Sequence, residues 1–255
     1  MADHSLTPKR AMITGAGKRI GRALAEALGE DGWSVAVHYR SSAEGAQDTA
    51  DAISKAGGMG VIVQGDLTEE KDLKALIPSA QEKLGGPLRL LVNSASVFED
   101  DTALDHDRQS WDLHFDANLR APDALSQAFA KALPGDEKGL IVNVIDQRVW
   151  KLNPQFFSYT LSKAALLTAT KTLAQSLAPN IRVNAIGPGP TLASVHQSEE
   201  EFAAERKATL TEEGSRPEEI VRALRYLIEA DSVTGQMIAT DGGQHLMWQT
   251  PDTQV

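Results

Sequence analysis

Residues 11–21 read AMITGAGKRIG, and this stretch decides the fold. Its first four residues predict a buried strand, and the amphipathic stretch at 21–32 predicts a helix directly after it. In the turn, Gly15 and Gly17 allow positive φ and a close backbone approach, and Gly21 allows the helix to pack tightly on the sheet. The free N–H groups at the start of such a helix attract phosphate. The turn therefore predicts a nucleotide site, although a plain strand–helix turn can have the same letters.

Short apolar runs recur along the chain and alternate with longer amphipathic segments, of which residues 218–230 are another example. Continuously apolar strands separated by helices are typical of a parallel sheet covered on both faces. We therefore predict a single Rossmann-type, doubly wound α/β domain with about seven parallel strands flanked by helices. Ligands of such sheets lie beyond the carboxyl ends of the strands. The predicted strands are 11–14, 34–39, 60–64, 88–92, 140–145, 181–186 and 236–239.

The composition excludes several classes of function. The 255 residues contain no cysteine, which rules out disulfides, thiolate catalysis and cysteine-ligated metals. The formal net charge of −10, without a basic cluster, argues against nucleic-acid or anionic-membrane partners. The N-terminus lacks the apolar segment of a signal peptide, and no apolar run approaches the roughly 18 residues that span a membrane. We expect one cytoplasmic domain over residues 1–255, with residues 1–8 flexible.

The end of the second predicted strand carries no acidic residue of the kind that binds the ribose 2′-hydroxyl of NAD. The sequence there reads His38, Tyr39, Arg40 and Ser41. An arginine beside hydroxyl groups suits a 2′-phosphate through charge-assisted hydrogen bonds, and Arg19 adds a second positive charge nearby. These residues favour NADP(H) as the cofactor, whereas a solvated surface side chain is the alternative for Arg40.

The third and fourth predicted strands are also followed by candidate binding residues. The carboxylate of Asp66 can face the adenine amino group, or it can cap the next helix, because Glu69 lies three residues further on. Small residues at 93–96, NSAS, let a flat cofactor approach the backbone, and Asn93 can fix this loop through backbone hydrogen bonds. Phe98 is either a core residue or a surface on which an aromatic substrate stacks.

Three residues after the fifth predicted strand point to proton-transfer chemistry. Asp146 ends that strand, Tyr159 follows thirteen residues later, and Lys163 lies four residues beyond it. Residues four apart share a helix face, so the lysine ammonium is expected to favour the phenolate and lower the tyrosine pKa. A tyrosine tuned in this way can pass a proton to or from a substrate. An ionised Asp146 is expected to act in the opposite direction and raise the phenol pKa.

With these motifs the chain resembles the short-chain dehydrogenases/reductases nearly end to end. The matching segments are TGAGKRIG, GDL, NSAS, YTLSK, NAIGPGP and TDGG, together with Asn118 in DANLRAP. The resemblance implies that Tyr159 and Lys163 are catalytic and that Asn118 anchors a water-linked proton relay to the lysine. Most family members carry a serine where this chain has Asp146. The predicted cofactor-binding residues are Gly15, Gly17, Lys18, Arg19, Ile20, Gly21, Tyr39, Arg40, Ser41, Asp66, Leu67, Asn93, Ser94, Ala95, Tyr159, Lys163, Pro188, Gly189 and Thr191.

This chain departs from the usual family pattern at several positions, among them Arg19, Ser96 and Asp146. These departures resemble the pteridine-reductase branch of the family, which includes dihydromonapterin reductases. In that branch an arginine of the turn lies near the cofactor phosphates, and a serine and a phenylalanine flank the pterin. The resemblance therefore implies that Arg19 contacts the cofactor and that Ser96 and Phe98 contact a pterin substrate, together with Asp146 and Tyr159.

Elementary chemistry gives an aspartate a use with such a substrate. The charge of an ionised Asp146 repels the negative charge that develops on a ketone oxygen during reduction. A carboxylic acid can instead give a proton to a ring nitrogen, and burial raises its pKa toward a useful range. Capping of a loop amide is the structural alternative for this residue.

Two further segments bear on specificity and assembly. Residues 192–214 are charged and lie where such reductases carry a substrate lid, and residues 244–255 form a C-terminal tail. The apolar side chains of Leu246–Trp248 are expected to be exposed on the subunit and to form a contact in a homotetramer. His245 and Trp248 are weaker candidates for reaching a neighbour's active site.

No metal site is predicted, because the remaining histidines lack the spacing of metal ligands. His4, His106, His114 and His196 are expected at the surface. The main hypothesis is an NADP(H)-dependent reductase of a pterin-like small molecule. The alternatives are a carbonyl reductase acting on acyl thioesters, sugars or alcohols, and a non-catalytic NADP-sensing protein.

Overall fold

In the computed structural model, which describes residues 6–193 and 197–248, seven strands form one parallel sheet. Their order is β3-β2-β1-β4-β5-β6-β7, so the direction of winding reverses after β3 and the carboxyl ends of β1 and β4 lie side by side. The predicted Rossmann-type α/β fold is confirmed. The strands are β1 Arg10–Ile13, β2 Ser34–Tyr39, β3 Met59–Gln64, β4 Leu90–Asn93, β5 Gly139–Val144, β6 Ile181–Pro188 and β7 Met237–Thr240.

Helices connect these strands and cover both faces of the sheet. Within the described residues, no helix combines the length and the apolar character needed to cross a membrane. The helices are α1 Arg19–Glu30, α2 Ala43–Lys55, α3 Glu70–Leu84, α4 Arg108–Phe115, α5 Ala121–Ala132, α6 Phe157–Leu177, α7 Glu199–Lys207 and α8 Pro217–Glu229, with a π-helical turn at Asp116–Arg120.

The apolar core has two layers, one on each face of the sheet. Alternate residues of β1 show why, since Ala11 and Ile13 pack against α1, α2 and α8, whereas Met12 packs against α3 and α5. Strands buried on both faces must be apolar at every position, which explains the continuous apolar runs of the sequence. Leu6, within the predicted flexible segment 1–8, is buried in the first layer, and residues 1–5 lie outside the described residues.

The predicted element boundaries differ from the observed ones by one or two residues in most cases. The largest differences in the strands are at β4, which begins at Leu90 rather than residue 88, and at β6, which continues to Pro188. Helix α1 begins at Arg19, two residues before the predicted start at Gly21. This difference matters for the site, because it places the arginine at the helix N-terminus rather than in the preceding turn.

Candidate active site

A cleft of about 1140 Å³ lies at the carboxyl ends of the strands. The segments that follow β1 to β6 form its walls, together with residues of α7. The predicted site residues border this cleft with two exceptions, Asn93 and Asn118. The strand-end rule for parallel sheets therefore located the cleft correctly.

The glycine-rich turn is packed so tightly that side chains cannot fit there. A Cβ atom on Gly21 would lie 2.5 Å from the carbonyl oxygen of Gly15, and one on Gly15, which has φ +66°, would lie 2.9 Å from Ala95 Cα. Thr14 joins this turn to the end of β4, because its hydroxyl oxygen accepts hydrogen bonds from the amides of Ser94 and Ala95 at 2.9 and 3.0 Å. The floor of the cleft is therefore formed by backbone that a ligand can approach closely.

Arg19 occupies a backbone conformation that favours glycine, with φ +54°. Its exposed guanidinium reaches across the cleft and donates to the carbonyl oxygens of Ala193 and Leu192 at 2.9 and 3.1 Å. The strain of a non-glycine residue in this region is about 1–2 kcal/mol. Arg19 thus connects the turn with the beginning of the predicted lid.

His38 supports the same turn from beneath, and its role was not predicted. Its Nδ1 accepts from the amide of Gly15 at 3.1 Å, and its Nε2 lies 3.1 Å from the carbonyl oxygen of Gly65, to which it donates. Burial is the main reason why the pKa of His38 is lowered to about 4. The neutral imidazole therefore links β2 with the ends of β1 and β3, and its place in the apolar run 34–39 was the signal for its burial.

Three cationic side chains, Lys18, Arg19 and Arg40, are exposed at the end of the cleft formed by β1 and β2. Asp66 lies in the same region, and its carboxylate accepts from the amide and hydroxyl of Thr68 at 2.9 and 2.8 Å. These bonds, with the charge of Arg40, hold the pKa of Asp66 below its usual value. Asp66 therefore stabilises a turn before α3 rather than capping the helix.

Asn93 and Asn118 do not border the cleft but lie behind it, where their side chains join neighbouring segments. Asn93 is buried and its side-chain amide donates to Asn143 Oδ1 at 2.8 Å, so it joins β4 to β5 instead of fixing the loop through backbone bonds. The side chain of Asn118 clamps Val97 through two bonds of 2.9 Å and also contacts Ser96 and Ser162. The relay from Asn118 to Lys163 stays a prediction.

Asp146 and Tyr159 meet at the centre of the cleft. The tyrosine hydroxyl donates to Asp146 Oδ2 at 2.8 Å, and Asp146 Oδ1 accepts from the amide of Arg148 at 2.8 Å. The capping role considered from the sequence is therefore present, since one carboxylate oxygen caps the turn 147–149, while the other faces the tyrosine and the proton-donor role stays a prediction. Burial raises the pKa of Asp146, which favours its protonated form.

The tyrosine and lysine do not tune each other as predicted. Burial, followed by the charge of Asp146 and their hydrogen bond, raises the pKa of Tyr159 well above its ordinary value. The expected lowering by Lys163 is therefore wrong for this state, whereas the expected raising by Asp146 is confirmed. Lys163 Nζ donates to the carbonyl oxygen of Val144 at 2.9 Å, and burial lowers the pKa of this lysine to about 8. Near neutral pH, part of the lysine population is uncharged.

Aromatic rings form one wall beside this pair. Phe98 packs edge-on against Tyr159 with ring centroids 4.7 Å apart, and it stacks on Phe156 with centroids 4.1 Å apart. The guanidinium of Arg148 lies 5.0 Å from the Phe156 ring centroid and 6.0 Å from that of Phe98. Phe156 and Arg148 also border the cleft, although sequence analysis did not single them out. Phe156 has φ +54°, a backbone conformation that its residue type gives no reason to expect.

The predicted lid and tail lie next to the cleft where they are described. The helix α7 begins with a capping box between Ser198 and Glu201, and Glu201, Phe202 and Glu205 border the cleft. Residues 194–196 and 249–255 lie outside the described residues, and the lid over 192–214 and the tail over 244–255 stay predictions.

The tail residues divide into inward-facing and exposed side chains. His245 Nδ1 lies 2.7 Å from a carboxylate oxygen of the buried Asp241, and its ring packs against Trp150 with centroids 5.0 Å apart. Leu246 and Trp248 are each 58% exposed, as predicted, but Met247 is half-buried. The assignment of Leu246 and Trp248 to a subunit contact stays a prediction.

One histidine expected at the surface is fully buried. His114 has no exposed surface because its ring is enclosed by Glu99, Ser158 and the ring of Tyr159. His106 is half-buried, and His4 and His196 lie outside the described residues. Among the described residues, no group of His, Cys, Asp or Glu side chains has the arrangement of a metal site.

Comparison with known proteins places this arrangement in a family. A family model described as enoyl-(acyl carrier protein) reductase matches residues 15–245. The chain therefore belongs to this family of the short-chain dehydrogenases/reductases, and it is an oxidoreductase of that class, as predicted.

Particular relatives are more informative about the branch. The structure of FolM alternative dihydrofolate reductase 1 from Brucella suis in complex with NADP is 48% identical, with a TM-score of 0.93, and the match covers 97% of this chain and 99% of that one. Glucose 1-dehydrogenase 2 of Bacillus subtilis is 32% identical over 94% of this chain and 96% of its own. The 3-oxoacyl-[acyl-carrier-protein] reductase of Synechocystis is 29% identical over 94% and 98% of the two chains.

Proposed function

We propose that the protein is an NADP(H)-dependent reductase of a carbon–nitrogen double bond in a pterin-like substrate. The observation that carries the proposal is the hydrogen bond between Tyr159 and Asp146, which puts a carboxyl group where most family members have a serine hydroxyl. The likeness to the Brucella FolM protein supports it independently.

The residues at the β1–β2 end of the cleft fit NADP(H). The N-terminus of α1 offers free amides to phosphate, and the contact of Gly21 with Gly15 leaves no side chain in the way. Arg40 and Lys18 supply positive charge for a 2′-phosphate, and no acidic side chain lies at the end of β2. The bound cofactor supplies the hydride for the reduction.

The reaction end of the cleft is suited to protonating a nitrogen. Asp146 and Tyr159 share one hydrogen bond, in which the tyrosine hydroxyl holds the proton, and burial raises the pKa of both groups. In our proposal this pair gives a proton to the ring nitrogen, directly or through water, while the Phe98 wall orients the flat ring. Lys163 supports the end of β5 through Val144 and borders the cleft, where in our proposal it would bind the cofactor ribose.

A ketone substrate suits this site less well. The oxygen of a ketone gains negative charge as hydride attacks, and catalysis requires hydrogen-bond donors at that point. Here the hydroxyl of Tyr159 donates to Asp146 Oδ2 instead, so it is not free to donate to a ketone oxygen. The acyl-thioester alternative nevertheless has support, because the family model and the Synechocystis relative carry the names of acyl-carrier-protein reductases.

The test is NADPH oxidation by the purified protein with four substrates in parallel. Dihydrobiopterin, dihydromonapterin and dihydrofolate represent the proposed class, and an acetoacetyl thioester represents the ketones. We expect turnover with at least one pterin-class substrate, weaker turnover with the thioester, and a preference for NADPH over NADH. Turnover of the thioester alone would overturn the pterin assignment, and binding of NADPH without any turnover would favour the non-catalytic sensor.

The assembly and location of the protein are proposals of the same kind. We infer a homotetramer in which the exposed Leu246 and Trp248 contribute to a subunit contact, and a cytoplasmic protein. Sedimentation of the purified chain at two concentrations tests the first inference, since a monomer would contradict it.

A further inference from the structure

Outside the reacting groups, a buried chain of hydrogen bonds connects two parts of the active site. His114 Nε2 accepts from the amide of Glu99 at 3.1 Å, and His114 Nδ1 lies 2.6 Å from Ser158 Oγ. The Ser158 hydroxyl donates in turn to the carboxylate of Asp101. The three side chains are at most 5% exposed. Because these side chains are buried and bonded to one another, the directions of the bonds follow from the donors and acceptors.

The direction of the chain requires His114 to be neutral. The amide of Glu99 can only donate, so Nε2 of His114 must be the unprotonated nitrogen. Nδ1 then carries the hydrogen and donates to Ser158 Oγ, whose own hydrogen points to Asp101. A proton added to Nε2 would face the N–H group of Glu99 and break that bond. The chain therefore has one arrangement when the imidazole is neutral and cannot keep it when the imidazole is charged.

The chain joins the segment that carries Phe98 to the helix that carries Tyr159. Ser158 directly precedes the tyrosine in α6, and Asp101 also accepts from the backbone amide of Ser158 at 2.9 Å. Glu99 directly follows the phenylalanine, and Asn118 clamps the other side of this segment at Val97. The segment is thus held at Val97, at Glu99 and at Asp101, and at Glu99 the acceptor is the imidazole of His114.

Several groups around His114 influence its charge. Burial lowers the pKa of His114, whereas the negative charges of Asp101 and Glu99 act in the opposite direction. The ring of Tyr159 lies edge-on with its centroid 6.0 Å away and adds no charge while the phenol is protonated. The direction of the pKa shift and the donor–acceptor pattern agree, since both favour neutral His114 near neutral pH.

We propose that His114 is a positioning residue that holds Phe98 against Tyr159 only while its imidazole is neutral. Protonation in acid releases the amide of Glu99, loosens the Phe98 wall and weakens substrate binding, with little effect on the distant cofactor end. The kinetic part of this inference rests on the proposed function, because it needs a turned-over substrate. The structural part, the loss of the bond to Glu99, does not.

The experiment compares wild type with His114→Gln, and with His106→Gln as a matched control. His106 is a second histidine beside α6, stacked on Phe157 at 5.4 Å, but it takes no part in the chain. For each protein the KM for the dihydropterin, kcat and the Kd of NADPH are measured from about pH 7.5 down to about pH 4.5, because burial lowers the pKa of His114 below its ordinary value. Hydrogen exchange of residues 97–101, corrected for intrinsic rates, is followed over the same range with NADPH bound.

For wild type and the His106 variant, we expect KM to rise about tenfold toward acid while the Kd of NADPH changes less than about twofold, as loss of one hydrogen bond implies. Protection of residues 97–101 should fall in parallel. In His114→Gln, KM should be raised already at neutral pH, and the acid-dependent rise in KM and loss of protection should both disappear. A merely structural role would lower stability but leave the pH dependence of KM unchanged.

Two outcomes would overturn the inference. One is that the hydrogen-exchange protection of residues 97–101 in wild type does not fall in acid. This measurement needs neither turnover nor a folded variant. The other is a His114→Gln protein that keeps the wild-type pH dependence of KM. If no pterin is reduced but protection still falls in acid in a His114-dependent way, the proposed function fails while the positioning role stands.

Discussion

The two ends of the cleft are built on different principles. The β1–β2 end is made of backbone and glycine, with exposed cations, and its shape is set by contacts such as that of Gly21 with Gly15. The reaction end is made of side chains that form hydrogen bonds with other side chains. Tyr159 bonds to Asp146, and the buried His114 bonds to Ser158. The first end offers backbone amides and positive charge to the phosphates of a nucleotide. The second depends on particular residue types, among them Asp146, where most members of the family carry a serine.

The largest expected effect comes from removing the carboxyl group at the reaction end. The asparagine in Asp146→Asn keeps an oxygen that can accept from the backbone amide of Arg148. Its side-chain amide, however, cannot take up or release a proton at neutral pH. We expect kcat with a dihydropterin to fall by about 10²–10⁴-fold, the usual contribution of a general acid or base. The Kd of NADPH should stay within about twofold, because the two ends are built separately. Equal losses in kcat and in NADPH affinity would mean that Asp146 is structural.

The next largest effect is expected at the opposite end, where backbone sets the shape. Gly21→Ala puts a Cβ atom 2.5 Å from a backbone oxygen that cannot move freely. We expect a loss of about 1–3 kcal/mol in the free energy of unfolding and weaker NADPH binding, measured by urea denaturation and by fluorescence titration.

Gly135→Ala is the matched control for this change, since nothing lies within 4 Å of a Cβ atom there. Its stability should be close to that of wild type. If both variants behave alike, the tight packing of the turn is not the reason for the glycine at position 21.

Acid should weaken the nucleotide end through His38. This buried histidine has its pKa lowered to about 4, so between its ordinary pKa of 6.5 and that value the unfolded chain binds a proton that the folded chain does not. Neutral His38 therefore leaves the free energy of unfolding unaffected above about pH 6.5. Below that, the free energy of unfolding falls as the pH decreases toward about 4, by at most about 3 kcal/mol.

Urea denaturation of wild type and His38→Asn across this range provides the measurement. The variant should be less stable at neutral pH, because the bonds to Gly15 and Gly65 are altered, but its stability should fall less steeply in acid. A pH dependence identical in the two proteins would contradict the assignment.

The smallest effect is expected from Arg40, which is exposed and acts through charge. Arg40→Ala should weaken NADPH binding by about tenfold and leave NADH binding nearly unchanged, as loss of one charge-assisted contact to a phosphate implies. Arg22→Ala is a suitable control, because Arg22 lies on α1 but pairs with Glu26 and does not border the cleft. An equal loss for both cofactors would remove Arg40 from the 2′-phosphate site.

The fold could be predicted because local patterns determine it. The continuous apolar runs, such as 140–145, gave the strands and their burial, and the parallel sheet followed from the helices between them. The start of α1 at Arg19 was not predicted. An arginine at a helix start gives no reason to expect its positive φ.

The candidate site was predicted in part, for a related reason. Asp146, Tyr159 and Lys163 are linked by fixed spacing around one strand and one helix, so their proximity could be anticipated. The direction of the Tyr159 pKa could not be read from the Tyr–Lys spacing, because it depends on burial and on the partner that its hydroxyl meets. The enclosure of His114 likewise depends on the path of the 97–101 segment, which no sequence period encodes.

The central claim is that the carboxyl group of Asp146 selects a nitrogen-protonating reaction. It is tested most directly by measuring kcat/KM for a dihydropterin and for an acetoacetyl thioester with wild type and with Asp146→Ser, which restores the usual family residue. We predict that the ratio of the two values falls by at least about 100-fold in the variant, through loss of pterin reduction and without loss of ketone reduction. A ratio unchanged by the substitution would contradict the account.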